Sequence, residues 1–284
     1  TGLRRAVGQS LLLSAGVVVL LTVLSQSLLY PALVLLRSPA NTIDLTCEYL
    51  RIIFSGITLV MGFNLLSGIL RSLGDSRTPL YAMTAAALCN IVLDILFVAA
   101  FHWGVSGVAI ATVISQGVSC LICLIALRKI TFLRLSRADL RPDTRSMGTL
   151  LRLGLPVAFQ NGIIAMGGLV LQGVVNGFGF IFMAGFNASS RLTGLVELAG
   201  SSLGSAMGTF AGQNLGAGRL DRVQLRLRRA SQIAVGMALI VAACMLLWVK
   251  EMLSLFINDL PEVVDQVLTV AYRYLAVMSL GLFM

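Results

Sequence analysis

Leu80–Phe101 has the sequence LYAMTAAALCNIVLDILFVAAF, an apolar run in which Asp94 is the only charged residue. About 20 consecutive apolar residues are enough to cross a bilayer as an α-helix. Soluble domains keep more polar surface than such runs allow, so this stretch predicts a membrane helix with a carboxylate near its middle.

Seven further apolar runs accompany this one, in a chain of 284 residues that is 57% hydrophobic and 12% charged, with mean hydropathy +0.93. The composition predicts an all-α membrane protein, a polytopic helical bundle with about eight transmembrane helices. The predicted spans, designated segments A to H, are 7–36, 47–70, 80–101, 105–127, 149–176, 181–211, 229–249 and 263–284.

The basic residues lie mostly in alternate connections of this arrangement. Most of the 21 Lys and Arg precede segment A or lie between B and C, D and E, or F and G. Basic loops stay in the cytoplasm, so segment A is expected to run outward from the cytoplasm in the plasma (inner) membrane. The net charge of +9 therefore indicates membrane orientation, and we expect the lipid bilayer but no nucleic acid as a partner.

Short sequence similarities suggest an internal repeat. Arg4-Arg5-Ala6 recurs as Arg228-Arg229-Ala230, and Tyr49-Leu50 recurs as Tyr274-Leu275. Transporters with two repeated halves place their substrate path between them. The pattern predicts two pseudo-repeated lobes: 1–127 holds the last four helices of a six-helix first lobe, 128–148 is a cytoplasmic basic linker, and 149–284 holds the first four helices of the second lobe. Segment H is expected to be cut within its helix, so that eight helices of twelve are present.

Two intramembrane residues of segment C suggest a cation site. Asn90 lies four residues before Asp94, which puts both on one helix face, and Thr112 of segment D adds a hydroxyl oxygen. Carboxylate, amide and hydroxyl oxygens suit a hard cation such as Na⁺, whereas a desolvated carboxylate can instead take up a proton. Asp94 is thus the predicted Na⁺ ligand or proton site. The alternative is that Asp94 and Asn90 only hydrogen-bond neighbouring helices.

Five other side chains are candidates for contact with a substrate. Met166, Gln172 and Asn176 of segment E offer a thioether and neutral amides, which suit a roomy cavity for varied organic cations. Arg191 and Glu197 are charged residues within segment F, six positions apart. Interhelical hydrogen bonding is the alternative role, worth only about 0.6 kcal/mol on average in membranes.

Several motifs, in order along the chain, resemble the multidrug and toxic compound extrusion (MATE) family. They are Tyr49-Leu50-Arg51-Ile52, the turn 70–79 (LRSLGDSRTP), Asn90-Ile91-Val92-Leu93-Asp94, the stretch 103–112 (WGVSGVAIAT) and 212–218 (GQNLGAG). The resemblance implies a twelve-helix antiporter that exports small organic, often cationic compounds in exchange for Na⁺ or H⁺. It also implies that Asn90, Asp94 and Thr112 match a first-lobe cation site, and that transport proceeds by alternating access without a cofactor. We further expect a monomer.

Two other functions remain as alternatives. A lipid-linked oligosaccharide or lipid flippase of related architecture is expected to have several cationic residues lining its cavity, to bind phosphate groups. A membrane prenyltransferase needs clustered carboxylates, but only Asp94 and Glu197 lie well within predicted spans. We therefore expect a transporter and not an enzyme.

Overall fold

The computed structural model describes residues 2–35, 43–133, 135–136, 138–254 and 261–281. Within those residues the regular structure is helical, which confirms the all-α prediction. The α-helices are α1 (Gly2–Leu35), α2 (Ile43–Ser55), α3 (Ile57–Ser72), α4 (Arg77–Ile95), α5 (Gly104–Arg128), α6 (Thr144–Asn176), α7 (Phe180–Gly216), α8 (Leu220–Ser254) and α9 (Pro261–Gly281).

Each predicted segment coincides with one helix or with one bent pair of helices. In the described part of the chain, four helices are long and apolar enough to cross a membrane by themselves: α1, α4 with the π-helical turn that follows it, α5 and α6. The pair α2 and α3 forms a fifth span if the two are counted together. Segments F, G and H fall on α7, α8 and α9, whose described residues are not among these spans. Residues 36 and 282–284 of segments A and H lie outside the described part of the chain.

The first compact unit of the chain comprises Thr1–Leu155. In it, α5 packs against α2, α3 and α4, and α1 packs against α2 and α3. Leu70, Ala82 and Cys123 are completely buried in the cluster where α3, α4 and α5 meet. The helix α5 is therefore the central element of this unit and the one that positions its neighbours.

Segment B differs from its prediction as one continuous helix, because it bends by 42° between α2 and α3. Gly56 lies at the bend and donates its N–H to the Ile53 carbonyl at 3.0 Å. A Cβ atom at position 56 would come within 2.6 Å of a methyl group of Val113 on α5. The missing side chain therefore lets the bend approach α5 closely.

The turn between α3 and α4 is built from Gly74 and Asp75. Gly74 has φ +93°, and the N–H groups of Gly74 and Asp75 donate to Arg71 and Leu70 at 3.0 and 2.9 Å. These two bonds end α3 in a Schellman motif. The Asp75 carboxylate then accepts the hydroxyl of Thr78 at 2.6 Å and its N–H at 3.0 Å, which lowers the pKa of Asp75 and starts α4.

The linker after α5 is docked on the start of α1, which the sequence did not indicate. Gln9 of α1 is completely buried and donates its amide to the carbonyls of Asp139 and Arg141 at 3.3 and 2.8 Å. Its side-chain oxygen accepts the N–H of Asp143 at 3.0 Å. A Cβ atom on Gly8 would overlap the Asp139 carbonyl oxygen and come within 2.9 Å of its carbon. The described linker residues are thus held on α1 through backbone contacts.

The second compact unit comprises Pro156–Met284. Its helix α7 packs against α8 and α9 around the buried residues Ala188, Leu192, Ala271 and Leu275. The hydroxyl of Ser189 donates to the carbonyl of Ala271 at 3.2 Å, which joins α7 to α9. The division of the chain into lobe 1–127, linker 128–148 and lobe 149–284 stays a prediction.

Candidate functional site

The helix α4 carries Asn90 and Asp94 one turn apart. Asp94 is the second residue from its end, and the chain continues as a π-helical turn over Leu96–Ala100. Phe97 of that turn stacks on Trp103 with ring centroids 4.9 Å apart. Single π-helical turns occur frequently at functional sites, where they change the direction of neighbouring side chains. Asp94 is therefore followed at once by a change of helix type that aromatic packing supports.

A cavity of about 190 Å³ lies between α3, α4 and α5 within the first unit. Both Asn90 and Thr112 line it, so the structure brings together two of the three side chains of the predicted cation site. Asp94 is not among the lining residues and lies one turn beyond Asn90 on α4. The full lining is Phe63, Met83, Ala86, Ala87, Asn90, Thr112, Ser115, Gln116 and Ser119.

Two polar atoms at this place are buried without a hydrogen bond to any described residue. They are the side-chain nitrogen of Asn90 and Oδ1 of Asp94. An unsatisfied buried polar group costs about 1–3 kcal/mol, more if it is charged. Such atoms in a native structure call for partners. A proton, a cation or a water molecule would satisfy Oδ1 of Asp94, whereas the amide N–H of Asn90 needs an acceptor such as a water oxygen.

The hydroxyl groups of the cavity already use their protons within α5. Thr112 donates to the Val108 carbonyl at 2.9 Å, Ser115 to Ala111 at 2.7 Å and Ser119 to Gln116 at 2.8 Å. Their oxygen lone pairs remain as acceptors. The cavity therefore presents oxygen atoms from hydroxyl and amide groups, which suits a hard cation or the water molecules around it.

Sequence reasoning missed three polar residues of this cavity. Ser115, Gln116 and Ser119 follow Thr112 at spacings of three, four and seven residues, which places all four on one face of α5. This helical spacing from Thr112 could have identified the three residues from the sequence. Among the described residues no group of three or more His, Cys, Asp or Glu side chains could hold a metal ion.

The predicted substrate residues lie on α6 and α7. Met166 is 68% exposed and Gln172 is half-buried on α6, while the side chain of Asn176 lies outside the described residues. Arg191 and Glu197 are both exposed on α7. None of the four described side chains belongs to the buried core of the second unit. Their role in substrate binding stays a prediction.

A second polar contact in this unit was not anticipated. The side chain of Tyr274 on α9 lies beside the side chain of Ser190 on α7. Phe186 packs edge-on against Tyr274 with ring centroids 5.1 Å apart. Tyr274, which the sequence similarity pairs with Tyr49, is half-buried on α9.

The fold and the cavity define the class of protein to which the chain belongs. It is a multi-pass helical membrane protein with an oxygen-lined cavity between three of its helices. Its sequence matches the MatE family over residues 1–96 and 156–284. The chain belongs to the MatE family, as its motifs predicted. Members of this family are transporters, in agreement with the prediction that the chain is not an enzyme.

Two relatives from Bacillus subtilis (strain 168) show the extent of the match. The chain is 36% identical over 189 residues to the probable multidrug resistance protein YpnP, a match that covers 66% of this chain and 42% of YpnP. It is 27% identical over 287 residues to the probable multidrug resistance protein YoeA, covering 97% of this chain and 60% of YoeA. The chain thus spans about half the length of these curated relatives.

A solved structure shows the same fold. A MOP superfamily transporter from Pyrococcus furiosus aligns with a TM-score of 0.85 at 23% sequence identity, over 99% of this chain and 62% of that one. At this identity the likeness concerns the fold alone. It supports the all-helical membrane architecture that the apolar runs predicted.

Proposed function

We propose that the whole protein containing this chain is a secondary active multidrug efflux transporter. It exchanges small organic, often cationic compounds for Na⁺ or H⁺ across the plasma (inner) membrane, as a monomer and with no cofactor beyond the coupling ion. The MatE match and the names of YpnP and YoeA support export of varied compounds. Because the chain spans about half of those relatives, the activity is proposed for the whole protein.

The observation that carries the coupling proposal is the buried Oδ1 of Asp94, which has no hydrogen-bond partner among the described residues. Asp94 is placed within a membrane helix, where a carboxylate without a partner is unfavourable by at least about 2.5 kcal/mol. A proton or Na⁺ at Asp94 removes that cost, and Asn90 and Thr112 supply nearby oxygen atoms. Occupancy by the cation thereby changes the charge inside the membrane helices.

Coupling requires that the cation and the substrate favour different conformations. A ligand shifts a conformational equilibrium only by its difference in affinity for the two states. Cation binding from outside and substrate binding from inside then drive alternating access in opposite directions. We propose Met166, Gln172, Asn176, Arg191 and Glu197 as the substrate contacts of this cycle.

The alternative function, a flippase, requires different residues in its cavity. A protein that moves a lipid-linked sugar must bind phosphate groups, which favours Arg and Lys in the cavity. The cavity of the first unit has neither among the residues that line it. Its lining is uncharged and includes hydroxyl and amide groups, which favours a small cation over a phosphate group.

The proposal is tested with the whole protein in proteoliposomes loaded with a fluorescent organic cation. We expect efflux to accelerate severalfold when a Na⁺ gradient or a proton gradient is imposed, and to remain slow without either gradient. The gradient that is effective identifies the coupling ion. If the efflux rate is the same with and without either gradient, and the protein moves a lipid-linked sugar between leaflets, the antiporter proposal is wrong and the flippase function is supported.

A further inference from the structure

A second cavity lies in the first unit, at the end where the basic connections are. It has a volume of about 430 Å³, is open on one side and is lined by residues of α1, α3, α5 and the linker. Leu11, Leu66, Leu127 and Leu135 are among its walls, and every lining residue except Arg128 is Leu or Ile. Ligand sites are typically clefts of about 300–1,000 Å³ with apolar walls and a few placed polar groups. This cavity has that size and composition.

Arg128 is the single charged residue of the cavity and ends α5. It is exposed, and in the described part of the chain it makes no hydrogen bond or ion pair. The two linker carboxylates have other partners: Asp139 accepts the N–H and hydroxyl of Ser136, and Asp143 accepts the hydroxyl of Ser146. The guanidinium is thus available to an anion from outside the described residues.

We propose that this cavity binds an anionic phospholipid of the cytoplasmic leaflet, with an acyl chain between the Leu and Ile side chains and its phosphate on Arg128. The cavity and the lipid are complementary in charge and in polarity. The positive-inside pattern places Arg128 at the cytoplasmic surface, where anionic lipids gather beside basic residues. A guanidinium binds phosphate oxygens in bidentate fashion, and apolar walls suit a hydrocarbon chain.

A lipid bound in this cavity would contact the linker as well as the helices. Leu133 and Leu135 belong both to the cavity wall and to the cluster that packs on Val7 and Leu11 at the start of α1. An acyl chain there would contact the linker, which Gln9 also bonds. The bound lipid is therefore expected to stabilise the docked linker.

The test measures lipid binding to the purified, delipidated whole protein by native mass spectrometry. Phosphatidylglycerol and phosphatidylcholine with identical acyl chains are titrated in parallel. We expect the protein to bind phosphatidylglycerol about tenfold more tightly, and Arg128→Gln to remove most of that preference, as the loss of one charge-assisted hydrogen-bonded contact predicts. Lys129→Gln is the matched control, since it removes the same charge one residue away from the cavity lining, and it is expected to change affinity less than twofold.

A second variant tests the acyl chain independently of charge. Leu135→Trp fills the cavity and is expected to weaken binding of both lipids. Equal losses in Arg128→Gln and Lys129→Gln would overturn the proposal in favour of diffuse surface attraction. Equal affinity for both lipids in the unmodified protein, or unchanged binding in Leu135→Trp, would also overturn it and leave a protein segment as the occupant of the cavity.

Discussion

Gln9 is a completely buried amide in an apolar helix, and both of its polar side-chain atoms bond to the linker. Its partners are backbone groups about 130 residues further along the chain. Removing the amide leaves an N–H and two carbonyls of the linker without their bonds. The cost of leaving these polar groups without partners therefore exceeds the net stabilisation that each single hydrogen bond contributes.

We predict that Gln9→Ala destabilises the protein by about 1–3 kcal/mol, because the completely buried amide and its part-buried backbone partners lose their hydrogen bonds. The measurement is the thermal unfolding of the purified protein in detergent. Gln26→Ala is the matched control on the same helix, since Gln26 donates one exposed bond to the Arg51 carbonyl at 2.9 Å. An equal loss of stability in the two variants would show that the linker is not held by Gln9.

At the scale of elements, the bend between α2 and α3 depends on a contact with a third helix. Gly56 leaves room for Val113 of α5, and both helices pack on α5. A side chain at position 56 would meet a β-branched neighbour that has little rotational freedom. The shape of segment B is thus fixed partly by α5.

We predict that Gly56→Ala lowers the unfolding temperature, and that Val113→Ala in the same chain restores part of the loss by removing the overlapping methyl groups. Gly68→Ala on α3 is the control, since a Cβ atom there meets nothing within 4 Å and Ala favours a helix by about 1 kcal/mol. Thermal unfolding of the four variants forms a double-mutant cycle with its control. Additive effects of the two substitutions would contradict a direct contact between these positions.

The elements show what a sequence can and cannot predict for this fold. Each predicted apolar segment falls on a helix or a bent pair of helices in the described part of the chain, because a span requires about 20 apolar residues. The four-residue spacing put Asn90 and Asp94 on one face, as the single helix α4 confirms. The bend at Gly56 and the docking of the linker were missed, since both depend on partners distant in sequence. Ser115 and Gln116 were missed because uncharged polar residues are common in membrane helices.

The protein as a whole combines a helical membrane fold with a polar cavity between three of its helices. Family membership and helical architecture are established for this chain. We propose that Asp94, beside the cavity of the first unit, binds the cation whose movement drives export. This claim concerns the link between two fluxes and requires that both be followed in the same vesicles.

The most direct measurement is the cation flux that accompanies substrate efflux from proteoliposomes holding the whole protein, its Asp94→Asn variant and an Asp75→Asn control. Asp75 lies in the turn before α4, outside the cavity lining, and Asn also favours the start of a helix. We expect coupled fluxes in the unmodified protein and in Asp75→Asn. In folded Asp94→Asn we expect at least a tenfold loss of the coupled cation flux, because an amide cannot gain and lose the charge of a carboxylate during the cycle. Coupled fluxes that persist unchanged in Asp94→Asn would contradict this proposal.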